Sequence, residues 1–460
     1  MGRVSICMTL ALLKEVRITA AAITVLSVFL MGILSLNAQT NSQGFFWDAP
    51  SFRNQLEQKG VTVSVQSISD MFGNTTGGIG KGGAYAGLLT FGTDVDLEKA
   101  FGWEGASFNS TWFWSYGNNL TTKYIGNPLF VTGIAVNPSF RCYQLSLEQQ
   151  FFQGAFSIEA GELALNREFC IAQTAEIFIN NTFAVPALFL GNFPNGGPIY
   201  PMATPGIRLA LHPFSWLTIR SALAQANPFS QESNPNNFNW NFGPSGGLLS
   251  FNEVETTWNA EPDSKGLTGV GRAGFWIQTG ESPPPPPPGQ FVYGAPSANP
   301  YGTGFYGIID QQLTNPGHME DSQQAVSYTA LPYTKVGQKK TVFKEGLSTF
   351  CRVGFSPQQT SVVSLYADGG FVYTGLFPGR KKDKLGLAFA YAKMGPDSVS
   401  QAGAAGLGGA SFESVAELSY SWILSKSVTI QPDIEYIMHP NGTQQYGNAL
   451  VVGVQAVVNF

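Results

Sequence analysis

Histidine, cysteine, charge and long apolar runs are all scarce in this sequence. Its 460 residues include three histidines, His212, His318 and His439, far apart and each beside Pro or Gly in turn-like sequence. That leaves little room for a histidine metal cluster or a histidine-based catalytic triad. Of four cysteines, Cys7 falls in the N-terminal leader region. Cys142, Cys170 and Cys351 form an odd set without Cys-x-x-Cys spacing. They read as isolated thiols or one incidental bridge, not as a metal site. Charged residues make up only 12%, about half the usual share, and the net charge of −5 leaves no nucleic-acid footprint. No long apolar run follows the first 38 residues, and mean hydropathy is +0.01. A helical membrane protein and a disordered chain are both excluded. Nothing in the composition calls for a cofactor.

What is plentiful is glycine, at 53 residues, and aromatic side chains, at 13%. The chain opens with Arg3, Lys14 and Arg17 and then runs apolar through "ITAAAITVLSVFLMGILSL" to "LNA" before Gln39. A basic start, an apolar stretch and alanine at the cut predict a secretory signal peptide over 1–38. The same run is nearly long enough to span a membrane, so an uncleaved anchor is the alternative. Residues 39–60 should then form a short periplasmic segment ahead of a domain that runs from 61 to 460.

In that domain no long helix is evident, and alternation with period two recurs. "ASFNSTWFWSY" sets Phe108, Trp112, Trp114 and Tyr116 against Ser107, Asn109 and Thr111. "VTIQPDIEYI" sets Val428, Ile430, Ile434 and Tyr436 against Thr429, Gln431, Asp433 and Glu435. Carboxylates and amides line one face repeatedly, and aromatics gather toward the strand ends of the other. This predicts a transmembrane antiparallel β-barrel, apolar outside, polar inside and girdled by aromatics. Sixteen strands are expected, at 61–71, 84–97, 105–116, 139–151, 155–163, 206–212, 216–225 and 247–258, then 267–278, 305–313, 346–355, 362–373, 384–393, 411–423, 427–437 and 449–460. The first and last should pair to close the tube. Short turns ("FQG", "PFS", "SKS") should lie on the periplasmic side and long loops outside. Residues 314–345 break that rule, as an insertion or as a slip in the count. "SPPPPPPG" at 282–289 reads as a stiff polyproline spacer. "GNTTGGIGKGG" lacks P-loop spacing and precedes a strand, so it reads as a loop.

Alternation also assigns the wet face. Arg208, Arg220, Arg272, Trp276 and Arg352 should point inward, with Glu148, Glu159, Glu253, Glu255, Glu417, Asp433 and Glu435 as acidic counterparts. Arg208 and Arg220 flank one short turn and should be near neighbours, and opposed basic and acidic rows would set up a transverse field. Something must narrow a sixteen-strand tube. The loop 164–205, with Arg167, Glu168, Glu176, Asn180 and Asn181, is too apolar to extend into water and should fold into the lumen.

Several long stretches resemble one family in colinear order across nearly the whole mature chain. "GGIGKGGAYAGLLTFGTDVDLEKAFGWEGASF", "RCYQLSLEQQFFQGAFSIEAGELALNREF" and "IFINNTFAVPALF" resemble the first half of the OprB-type carbohydrate-selective porins. "LYADGGFVYTGLFPGR" and "NALVVGVQAVVNF" resemble its second half. The 314–345 stretch, the polyproline tract and the short 40–59 segment depart from the family pattern. The resemblance implies a bacterial outer-membrane barrel that passes monosaccharides and related small polar solutes by facilitated diffusion. Its partners would be those solutes, outer-membrane lipid and the barrel-assembly machinery, to which Phe460 resembles the recognition signal. Oligomerisation is left open. Alternatives are a general or anion-selective porin, favoured by the clustered arginines, a structural barrel and, least of all, an enzyme.

Overall fold

The computed structural model describes residues 50–240, 242–244, 246–261, 264–280, 302–315, 345–396, 399–400, 409 and 411–460. The leader at 1–38, the polyproline tract and most of 314–345 lie outside the described residues. A short helix, α1 (Pro50–Gln58), precedes the first strand. The first eight strands are β1 (Val61–Thr76), β2 (Gly82–Asp96), β3 (Ala106–Gly117), β4 (Ser139–Phe151), β5 (Phe156–Leu163), β6 (Thr204–Phe214), β7 (Leu217–Gln225) and β8 (Leu248–Trp258). The second eight are β9 (Gly269–Gln278), β10 (Gly302–Gln312), β11 (Gly346–Phe355), β12 (Val363–Thr374), β13 (Lys384–Met394), β14 (Phe412–Ile423), β15 (Val428–Met438) and β16 (Ala449–Asn459).

Each strand pairs antiparallel with its sequence neighbours, and β1 pairs with β16, so the sheet is a closed barrel of 16 strands with no free edge. All the expected strands are present. The largest shift is at β1, which runs to Thr76 rather than 71. β6 extends to Phe214, which pairs with Leu217, so the "PFS" turn tightens onto Ser215 and Trp216. β10 pairs directly with β11 through Phe305 to Gln312. The strand count therefore does not slip across 314–345, and the stretch is an insertion between adjacent strands.

The dyad is written in the burial. On β10, Phe305, Gly307 and Ile309 are exposed while Tyr306, Ile308 and Asp310 are buried. Large apolar side chains on the outer wall keep the exposure a bilayer would cover, such as Ile309 at 58% and Leu387 at 57%. Exposed aromatics gather at both rims. Phe101, Trp103, Phe152, Phe214 and Trp216 lie at the short-turn end, and Trp114, Phe140, Phe238 and Trp240 at the other. Rings that tolerate both water and hydrocarbon are suited to these interfaces.

The core lies inside the tube. The loop between β5 and β6, residues 164–203, folds into the lumen and carries two short helices, α2 (Asn181–Ala184) and α3 (Ala187–Asn192). Phe178, Ile179, Phe183, Leu188, Phe189, Phe193 and Tyr200 are all buried. They pack with inward side chains such as Phe251, Trp276, Phe350 and Tyr366 in one hydrophobic cluster. This burial is what holds an apolar loop away from water.

Candidate functional site: a charged ladder facing a stapled loop

Strands β4 to β9 bring seven charged side chains into one continuous row. Register sets Glu148 opposite Glu159, Glu159 opposite Arg208, Arg220 opposite Glu253, and Glu255 opposite Arg272. Arg208 meets Glu148 at 2.7 Å, Glu159 at 2.8 Å and the loop's Glu168 at 2.9 Å. Arg220 meets Glu255 at 2.8 Å and Glu253 at 3.4 Å, and reaches Glu168 at 4.0 Å. Arg272 meets Glu255 at 2.6 Å and Glu253 at 3.2 Å. Arg208 and Arg220 are indeed neighbours, and Glu168 between them offsets their mutual repulsion. The basic groups alternate laterally with carboxylates along this wall, while Glu417, Asp433 and Glu435 stand on β14 and β15, eight strands round the barrel from β6 and β7. Each guanidinium is neutralised by carboxylates on adjacent strands, because a charge this buried is stable only when paired.

The other inward charges hold the loop. Glu417 accepts from the N–H groups of Ile179 at 2.6 Å and Asn180 at 3.0 Å. Glu435 accepts from the Asn180 amide at 2.8 Å. Asp433 is 2% exposed and bonds to Ser419 on the wall. Arg352 is tied to Asp368 and donates to the carbonyls of Cys170, Thr182 and Phe183. Asp310 accepts from the N–H and hydroxyl of Thr174. Trp276 faces inward as its phase requires, but its ring is fully buried beneath Phe189 and Phe193. Arg352, Glu417, Glu435 and Trp276, expected to line the pore, are therefore covered by the loop, and Asp433, expected there too, is buried against Ser419 of the wall. Asn180 and Asn181 are likewise buried anchors. Arg167, Glu168 and Glu176 retain partial exposure on the lumenal side.

Asp70 of β1, which accepts from Thr132 of the β3–β4 loop and from Gln455 of β16, escaped the sequence reading, as did Asp310, Asp368 and Tyr366. The signal was available: Asp310 shares the phase of Tyr306, opposite Phe305 and Ile309, and Asp368 that of Tyr366, opposite Phe371. Cys142, Cys170 and Cys351 are free thiols, and burial pushes the Cys170 thiol well above the ordinary cysteine range.

The wall also makes room for the loop. A Cβ added to inward-facing Gly386 would lie 2.8 Å from the Phe178 ring and 3.3 Å from Ile177. Gly386→Val should therefore cost about 1–3 kcal/mol by overpacking and lift the loop from β13. The expected readout is a higher and noisier single-channel conductance than the native protein shows.

A closed barrel with a polar lumen narrowed by an infolded loop defines an outer-membrane channel. The family model of the carbohydrate-selective porins of the OprB type matches residues 80–460. The chain belongs to that family, and is a sugar porin of the bacterial outer membrane. Porin B of Pseudomonas aeruginosa is 25% identical over 97% of this chain and 100% of its own length. A putative porin, QuiX, of Acinetobacter baylyi is 22% identical over 94% of this chain and 99% of its own. Among solved structures, the high-pH form of Pseudomonas putida OprB superposes with a TM-score of 0.74 at 22% identity, covering 92% of this chain and all of that one.

Proposed function

We propose that sugars pass between the ladder and the lumenal face of the 164–203 loop, and that Arg220, Glu255 and Glu168 make the solute contacts. The observation that carries this reading is residual exposure. Within the ladder the side chains of Arg220 and Glu255 are each 13% exposed, whereas that of Glu253 is fully buried. Arg208 and Arg272 sit behind them. A sugar offers hydroxyls that both donate and accept, so an alternating row of guanidinium and carboxylate groups presents complementary partners at successive steps. Because each charge is already paired, a hydroxyl substitutes for only part of an existing interaction. Contacts stay weak and serial, as conduction requires. The same pairing removes the basis for an anion-selective reading, since three arginines face five carboxylates in this network.

Further parts of the reading are a cleaved leader over 1–38, assembly through the outer-membrane machinery, and an oligomeric state to be established by light scattering in detergent. The solute contacts are tested in planar bilayers by the block that a sugar series imposes on ion current. Arg220→Ala should weaken the block by roughly tenfold, the loss of one charge-assisted hydrogen bond. Arg220→Lys should recover only part of it, because the forked donor geometry is lost. Unchanged block in both Arg220→Ala and Glu255→Gln would exclude the ladder as the contact surface.

A further inference from the structure

Arg141 differs from the other inward-facing arginines of the barrel wall. Arg208, Arg220, Arg272 and Arg352 each have a carboxylate partner. Arg141, on β4, is 1% exposed. Its hydrogen bonds among the described residues go to two carbonyl oxygens. Nε donates to Pro235 at 3.1 Å and Nη1 to Pro201 at 3.4 Å. Its Nη2 has no partner among the described residues. Tyr200, next to Pro201, is also 1% exposed, and its hydroxyl is equally unpartnered there. The Tyr200 ring is fixed by edge contacts with Phe113 at 5.4 Å and Tyr143 at 5.6 Å. Its N–H donates to Asn166 Oδ1 at 3.0 Å.

Two buried donors without a partner among the described residues are costly, and one of them carries a full charge. Two carbonyls solvate part of the guanidinium without neutralising it. Water would satisfy Nη2 but leave the charge uncompensated. From this arrangement we infer that Arg141 Nη2 and Tyr200 Oη form a binding site for a carboxylate. A carboxylate offers two acceptor oxygens to the two donors and supplies the missing counter-charge. Phe113, Tyr143 and Tyr200 provide ring surface beside it, which suits the apolar C–H face of a sugar attached to that carboxylate. The site is distinct from the ladder, whose arginines are already paired.

The test is the thermal unfolding midpoint of the full-length protein in detergent at constant ionic strength, titrated with glucuronate, acetate or glucose. Glucuronate should raise the midpoint saturably and glucose should not. Tyr200→Phe keeps the ring and removes only the hydroxyl, and should weaken apparent glucuronate affinity about tenfold. Arg141→Gln should abolish the shift. Because Arg141 also ties two loops, Tyr200→Phe is the deciding variant. Equal affinity for acetate assigns the site to free small carboxylates, and stronger binding of glucuronate assigns it to acidic sugars. The proposal is overturned if neither carboxylate gives a saturable shift. It also fails if the shift survives in Tyr200→Phe but vanishes in Arg220→Ala, which would place the anion on the ladder.

Discussion

Arg352→Ala should free the lumenal loop while the barrel wall stays closed. Arg352 is the point where wall and loop are most heavily joined. Its Nε donates to Asp368 Oδ1 at 3.1 Å, its Nη1 to the Cys170 carbonyl at 3.1 Å, and its Nη2 to the carbonyls of Thr182 at 3.2 Å and Phe183 at 2.9 Å. Truncation leaves three loop carbonyls without this donor. It also leaves Asp368, itself 4% exposed, to the Tyr366 hydroxyl at 2.7 Å, its remaining partner among the described residues. Removing one member of a buried ion pair costs about 3–5 kcal/mol. The sixteen-strand ladder does not depend on this residue, so the cost falls on the loop. Arg167 is the only Lys or Arg between 164 and 203, which makes trypsin a direct reporter. The native loop should resist cleavage, and the Arg352→Ala loop should be cut there, with increased conductance and less sugar block. The double variant Arg352→Leu, Asp368→Leu should regain part of the stability, since an apolar pair removes the orphaned charge. It should not regain protease resistance, since it restores no donor to the loop. A loop equally resistant to trypsin in native and Arg352→Ala protein would show that aromatic packing alone holds it.

Why was the fold so legible and the site only partly so? Strand positions and inward phase are local properties. A run such as "VTIQPDIEYI" states its two faces within ten residues, and water on one side with lipid on the other enforces the alternation. The charges Arg208, Arg220, Glu253 and Glu255 follow from that phase alone. What each inward group meets is not local. Arg208 finds Glu148 and Glu159 because β4, β5 and β6 stagger so as to align them, and Glu168 joins from a loop with no alternation to read. Trp276 and Arg352 show the limit most clearly. A side chain facing a wet lumen and one facing an infolded polar backbone carry the same alternation. Only the three-dimensional path of residues 164–203 separates solute contact from loop anchor. The apolar sequence of that loop did indicate its inward course, because a segment that greasy has to bury itself.

Removing the Phe460 ring, by Phe460→Ala, should reduce the amount of barrel in the outer membrane far more than it reduces the stability of barrel already formed. The closing seam shows why the two quantities separate. Asn459 pairs with Gln66, and Gln66 Nε2 donates to Asn459 Oδ1 at 2.8 Å. The Phe460 N–H donates to the Val65 carbonyl at 3.0 Å, and Arg53 of α1 reaches the Phe460 carbonyl at 3.3 Å. These backbone contacts survive the substitution, because alanine keeps the N–H and the carbonyl. What is lost is one ring, in phase with outward-facing Val452, Val454, Ala456 and Val458, at the short-turn rim. In a finished barrel that ring is one aromatic in a girdle of many, and its loss should cost about 1–2 kcal/mol. During assembly the balance differs. β16 must pair with β1 across the whole length of the chain, a contact of maximal sequence separation that forms only after the intervening strands are brought together. A rim aromatic that positions this last strand therefore acts on the rate of closure, when no neighbouring girdle residue can replace it. The two effects are separated by comparing the level of Phe460→Ala protein in isolated outer membranes with its denaturant midpoint after refolding into detergent. The expected result is a severe loss in membranes, a small shift in the midpoint, and native sugar block from the barrels that do form. Phe460→Tyr should restore the membrane level, because it keeps an aromatic at the rim. If Phe460→Ala lowers refolded stability in proportion to its membrane level, the ring acts through the stability of the closed seam and not through assembly.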